Sequence, residues 1–162
     1  MATAKLHDAM AYLCVNYPYA DDLSKARLTK LVYLADWRMA IEHGRQVTSI
    51  SWLYNHYGPY VPDVERLATE SSDFKLHGDV NMFGSPKETI SVVEGASWPS
   101  LTEEERTVLD FVIEQTRNLS FADFLNLVYS TYPVVKSDQY QHLDLVAIAR
   151  RYSNFTTHRE GN

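Results

Sequence analysis

The 162-residue chain holds one cysteine, Cys14, and no apolar run near the roughly 20 residues that span a bilayer. A lone thiol excludes an internal disulfide, so nothing in the sequence asks for an oxidising compartment. Positive charge is also scarce: 15 Lys and Arg stand against 21 Asp and Glu, for a net charge of −6. That balance disfavours a protein that coats nucleic acid or an anionic membrane, because phosphate binding relies on clustered cations. The opening MATAKLHDAMAYLC lacks a signal-peptide core, since His7 and Asp8 interrupt it. Repeats and low-complexity segments are missing too. A soluble, cytoplasmic chain with no membrane partner is expected.

Recognisable chemistry is equally thin. There is no P-loop, no G-x-S-x-G elbow and no G-x-G-x-x-G fingerprint. None of the six histidines forms a metal-ligand spacing with Cys, Asp or Glu. Cys14 falls on the apolar face of a helix carrying Leu6, Met10, Leu13 and Tyr17, where it reads as a small hydrophobe. No catalytic, cofactor-binding or metal-binding residue is therefore assigned, no cofactor is expected, and the reading is of a non-enzyme.

What the chain does have is 45% hydrophobic content, enough for one core, and an organised stretch from Leu28 to Val61. Ser24 is placed to cap a helix, and Leu28, Leu31, Val32, Ala35 and Met39 share one face of it. Gly44 supplies the positive-φ stop. Ile50, Trp52 and Tyr54 then fit one side of an extended segment, and Tyr57-Gly58-Pro59-Tyr60 reads as a turn before a helix opened by Pro62. Arg38 and Glu42 fall inside the buried arc of the first helix, with Asp36 at its edge. The plain reading pairs Arg38 with Glu42; the sharper one sends Arg38 to the Gly58-Pro59 backbone or to a ligand.

Beyond this stretch, segments 74–77 and 89–93 read as short strands of one small antiparallel sheet that also takes 50–54. Thr102 and Glu105 form a capping box ahead of Val108, Leu109, Val112 and Ile113. Ser120 opens a helix that runs to Pro133, and a last helix spans about Asp138 to Tyr152. The fold class is α+β: a mainly helical single domain, with a small antiparallel sheet between N- and C-terminal helices. The domain is placed at 1–153, with a polar C-terminal tail at 154–162.

Trp37, Trp52, Tyr54, Tyr57 and Tyr60 crowd the central stretch. Most are expected in the core, and about one or two at an interface, since rigid aromatics give contact area at small entropy cost.

The text Lys30-Leu31-Val32-Tyr33-Leu34-Ala35-Asp36, then Gly44-Arg45-Gln46-Val47-Thr48, then Trp52 and Tyr57-Gly58-Pro59-Tyr60-Val61-Pro62 resembles the Panacea domain, the SocA-like antitoxin family of bacteria and their phages. Gln46 stands where the family's link usually has proline, and Tyr60 separates Gly58-Pro59 from Val61. The resemblance implies an antitoxin that neutralises a cognate protein toxin by direct protein–protein contact, or that delivers it to a protease as an adaptor. The partner-binding residues read from this stretch are Arg38, Trp52, Tyr57 and Tyr60. Two other readings stay open. One is a small-molecule or nucleotide-handling enzyme with Asp36, Arg38 and His56 in a pocket. The other is a nucleic-acid-binding regulator using Lys25, Arg27 and Lys30, which the net charge disfavours. Self-association as a homo-oligomer is left open.

Overall fold

The computed structural model describes residues 2–18, 23–56, 58–80, 84 and 86–160. The chain is mainly helical and α+β, as its patterning implies. Helix α2 (Lys25–His43) is the axis of the molecule, buried without a break from Arg27 to Trp37. Its ends are set by local chemistry. The Ser24 hydroxyl accepts from the Arg27 N–H at 3.1 Å, and Gly44, at φ 70°, donates its N–H to the Ala40 carbonyl at 3.1 Å. Around α2 pack α1 (Ala2–Asn16), α3 (Asp63–Glu70), α4 (Glu103–Thr116) and α7 (Leu145–Glu160). A helix covered on every side must be apolar on most of them, which is why its single-face periodicity understates its burial.

The strands form two separate sheets, not one. Strand β1 (Trp52–Asn55) pairs antiparallel with β2 (Gly58–Tyr60) on one edge and β5 (His142–Leu143) on the other. Strands β3 (Phe74–Val80) and β4 (Pro86–Val92) make an independent hairpin. The expectation that 50–54 joins the 74–77 and 89–93 strands is thus corrected. The edge of β4 is taken instead by the chain entering α2, through the Ile90 N–H to the Leu23 carbonyl at 2.9 Å. The expected turn at 57–60 is also largely strand: Asn55 pairs with Gly58, Tyr54 with Pro59 and Leu53 with Tyr60.

Two further boundaries move. The helix opened by Ser120 is α5 (Phe121–Tyr129), and Pro133 lies inside a separate short helix, α6 (Tyr132–Lys136), rather than ending one. Proline is tolerated there because a first helical turn has N–H groups to spare. The last helix starts at Leu145 and continues past Tyr152 to Glu160. Among the described residues, no helix is long and apolar enough to cross a membrane.

The capping box of α4 forms as read and reaches further. The Thr102 hydroxyl accepts from the Glu105 N–H, while Glu105, fully buried, accepts from the Thr102 N–H at 2.9 Å. The same carboxylate takes Lys5 of α1 at 2.6 Å and Arg45 at 2.9 Å, tying three parts of the chain to one helix start.

Candidate interaction surface

Asp36 has no solvent exposure, and its carboxylate is surrounded by donors. The Thr48 N–H donates to Oδ1 at 2.9 Å; the Thr48 hydroxyl donates to Oδ2 at 2.5 Å, and Trp52 Nε1 at 2.9 Å. Gln46 Nε2 adds a longer contact to Oδ2 at 3.3 Å and holds the Thr48 and Ile50 carbonyls. Burial lifts the Asp36 pKa to about 6, against the donors that favour the charged form. This node fastens the link after α2 and the start of β1 onto α2. It is a structural use of the acid.

Trp52, expected as a partner-binding anchor, is therefore corrected to a core residue. It is wholly buried, its N–H is spent on Asp36, and its ring meets Tyr33 edge-on at 5.5 Å. Tyr33 in turn bonds Thr131 at 2.8 Å. Tyr60 is half-buried on the edge strand β2. Tyr57 lies outside the described residues. Gly58, beside it, sits at φ 92°, and a Cβ there would come within 2.4 Å of the Tyr129 ring. Only glycine meets both conditions, so the β1–β2 hairpin closes directly against α5.

Arg38 takes the plain course. Its Nη2 pairs with Glu42 Oε1 at 2.7 Å, and its guanidinium lies 4.2 Å from the centre of the Phe111 ring on α4. The Gly58-Pro59 backbone is not its partner. Its Nε is buried without a hydrogen-bond partner among the described residues. Eleven residues earlier, and within roughly 20° of the same direction around α2, Arg27 repeats the arrangement. Its guanidinium lies over Phe121 and Phe124 of α5, 5.5 and 5.1 Å from their centres. Leu34 lies between the two arginines, and Phe111 and Phe121 are 40% and 45% exposed. The result is a strip across α5, α2 and α4 in which two cation–ring pairs, Arg27 with Phe121 and Arg38 with Phe111, flank Leu34, and sequence reasoning missed its Phe111 and Phe121. Arginine on phenylalanine is a stable, partly desolvated contact, and both residue types are enriched where proteins dock.

Residues 28–133 match the family described as antitoxin SocA-like, Panacea domain. The chain belongs to that family. Neither the curated proteins nor the solved structures hold a match to it. The match carries the Panacea domain past Pro62, where the resembling text ended, through α4 and α5. The structure gives the Panacea motif a physical meaning. In Lys30-Leu31-Val32-Tyr33-Leu34-Ala35-Asp36 every residue is buried: Tyr33 holds the α5–α6 junction and Asp36 holds the Thr48 link.

The Panacea domain does not assemble the trio of the enzyme reading. Asp36 and Arg38 point roughly 200° apart around α2, and Asp36 is fully engaged inside the core. His56 is exposed on the hairpin. The basic trio of the nucleic-acid reading is no open surface either. Lys25 is held by Glu65 at 3.0 Å and Glu88 at 2.6 Å, and Arg27 and Lys30 are buried.

Proposed function

We propose that this Panacea domain is the antitoxin of a toxin–antitoxin pair and that it neutralises a cognate protein toxin in the cytoplasm by direct contact. The more open members of the strip, Arg38, Phe111 and Phe121, carry this reading, over a buried Arg27, and Tyr60 and Tyr57 are proposed as further contacts. Family membership supports an antitoxin; the strip supports the mode. A protein inhibitor needs a few rigid, partly desolvated anchors in a complementary surface rather than a reactive group. Arg38 fits that role because its Glu42 pair and Phe111 platform hold the side chain in one orientation before any partner arrives. Trp52 contributes from inside, by fixing β1 and hence the hairpin.

The test is co-expression with the product of a neighbouring gene that stops growth when expressed alone. Wild-type chain restores growth and co-purifies with the toxin. Arg38→Ala combined with Phe111→Ala, folded by circular dichroism, loses both. Toxin half-life in the same cells separates steric blocking, which leaves it unchanged, from delivery to a protease, which shortens it.

A further inference from the structure

Strand β3 is seven residues long and has a strand on one side only. Its register with β4 runs unbroken from Phe74↔Val92 to Val80↔Pro86, with no bulge to twist the edge away. The outer edge of β4 is covered, because the Ile90 N–H donates to the Leu23 carbonyl at 2.9 Å. The outer edge of β3 has no such cover at Leu76 and Gly78.

Hydrogen-bond phase identifies the groups that lie open there. The Val93 N–H donates to the Asp73 carbonyl at 2.8 Å, which makes these two residues a bonded pair of the antiparallel ladder. Bonded pairs alternate with unbonded ones, so Lys75 and His77 turn their N–H and C=O toward β4, while Leu76 and Gly78 turn theirs outward. Ile90, opposite Leu76, obeys the same phase, since its N–H points away from β3 to Leu23. Among the described residues, the main chain of Leu76 and Gly78 forms no hydrogen bond. Residues 75–78 are all exposed, and a Cβ built on Gly78 would meet nothing within 4 Å. Leu76, two residues away on the same face, leaves 39% of its surface in solvent. A row of outward donors and acceptors of this kind is a template for a further strand.

We propose that the β3 edge at Leu76 and Gly78 binds the same edge of a second copy of the chain, antiparallel, about a twofold axis at His77. Leu76 then stands opposite Gly78 of the other copy. Each outward N–H meets an outward C=O, and no group of either copy is left over. The Leu76 side chain covers the open space at the facing glycine, and the twofold repeats that match. Centring the pair on Leu76 would need the Phe74 N–H, which already donates to the Ser71 carbonyl at 3.4 Å. Centring it on Gly78 would set glycine against glycine and leave the hollow unfilled. The two hairpins become one continuous β4–β3–β3–β4 sheet, a sturdier unit than an isolated hairpin. A toxin strand has no built-in reason to bring a leucine to Gly78 and a gap to Leu76, whereas a second copy supplies both. The dimer does not depend on the antitoxin reading.

Sedimentation velocity of the full chain from about 10 μM to about 1 mM tests the proposal, a range suited to the small area such a ladder buries. The mean mass is expected to climb from the 18.6 kDa of the monomer toward twice that value. Gly78→Pro removes an N–H that the fold itself leaves unused, and proline is tolerated at such edge positions. This variant, folded by circular dichroism, is expected to stay monomeric throughout. Register is read with cysteine, since the native Cys14 is buried. His77→Cys gives up only an exposed bond to Ser91 and lies on the twofold in an unbonded pair. Cα atoms about 4.5 Å apart in such a pair suit a disulfide. His77→Cys is expected to cross-link to itself on mild oxidation, whereas Lys75→Cys, also exposed and on the same face, is not. A wild type that stays monomeric overturns the proposal, as does unchanged dimerisation in Gly78→Pro or equal cross-linking of the two cysteine variants. A monomeric wild type whose Gly78→Pro variant binds toxin at least about tenfold more weakly assigns the edge to a toxin strand and excludes the second copy. If Gly78→Pro fails to fold, the contrast between the cysteine variants decides.

Discussion

Thr48 gives Asp36 two hydrogen bonds at once, one from its backbone N–H at 2.9 Å and one from its hydroxyl at 2.5 Å. That double contact joins residues twelve apart and turns the link after α2 into a fixed clip. With the Trp52 N–H on the same carboxylate, it decides where β1 begins and how the hairpin lies against α5.

Removing the acid should therefore cost more than a typical core change. Asp36→Ala strands the Thr48 N–H, the Thr48 hydroxyl and the Trp52 N–H in a dry site. The expected loss is about 3 kcal/mol or more, read by urea denaturation. Thr48→Val keeps the backbone donor and should lose only about 1–2 kcal/mol. Equal effects from the two variants would contradict the clip.

Gly58→Ala brings a positive-φ penalty together with a collision on Tyr129. A destabilisation of about 2 kcal/mol or more is expected. In a Tyr129→Ala background the collision disappears and only the backbone part remains, so the added cost of Gly58→Ala should shrink. Thermal denaturation of the wild type, the two single variants and the double variant forms the cycle. Strict additivity would show that the ring is not what the glycine avoids.

The pH dependence follows from four groups. His7 lies 2.8 Å from both Asp8 and Asp73. Partial burial opposes its charge, but the hydrogen bonds to the two carboxylates outweigh burial and raise its pKa above 6.5. Its contribution is full below about pH 6.5 and is lost as pH rises through the folded value. Asp36, lifted by burial to about 6, behaves in the same sense: its contribution is full below the ordinary 3.8 and is lost as pH rises through about 6. Asp8 and Glu105 run the other way. Burial raises each, yet bonds from Ser100 and His7 in one case, and from Lys5, Thr102 and Arg45 in the other, bring the pKa below the ordinary 3.8 and 4.5. Their contribution is present above those ordinary values and is lost as pH falls through the folded ones. Stability should peak between about pH 4 and 5 and be lower at pH 8 than at about pH 5.5. His7→Gln should narrow that difference. A chain equally stable at both pH values would contradict the assignment.

Much of this architecture is legible in the sequence wherever the signal is local. Ser24, Gly44, Thr102 with Glu105, and Ser120 each act within a few residues, and each sits at the helix end its chemistry specifies. What escapes local reading depends on distant partners. Strand β5 is two residues long and exists only because Trp52 and Leu53 pair with it. The two sheets separate because the Leu23 carbonyl takes the Ile90 N–H at β4. Trp52 reads as an exposed anchor only while its N–H partner is unknown, and that partner is an acid that periodicity puts at the edge of the buried arc. Arg27 and Lys30 look like solvated helix-start cations, since nothing near them in sequence reports that α5 covers Arg27. Arg38 with Glu42 was readable from their i,i+4 spacing, whereas the Phe111 platform comes from another helix.

The central claim is that the Arg27–Arg38 strip grips a toxin directly. Calorimetric titration of purified toxin into the wild-type chain, and into the folded Arg38→Ala, Phe111→Ala variant, tests it most directly. The account predicts a saturable complex with wild type and an affinity at least about tenfold weaker for the variant. Equal affinity for both chains, or neutralisation in cells with no measurable complex, would contradict it.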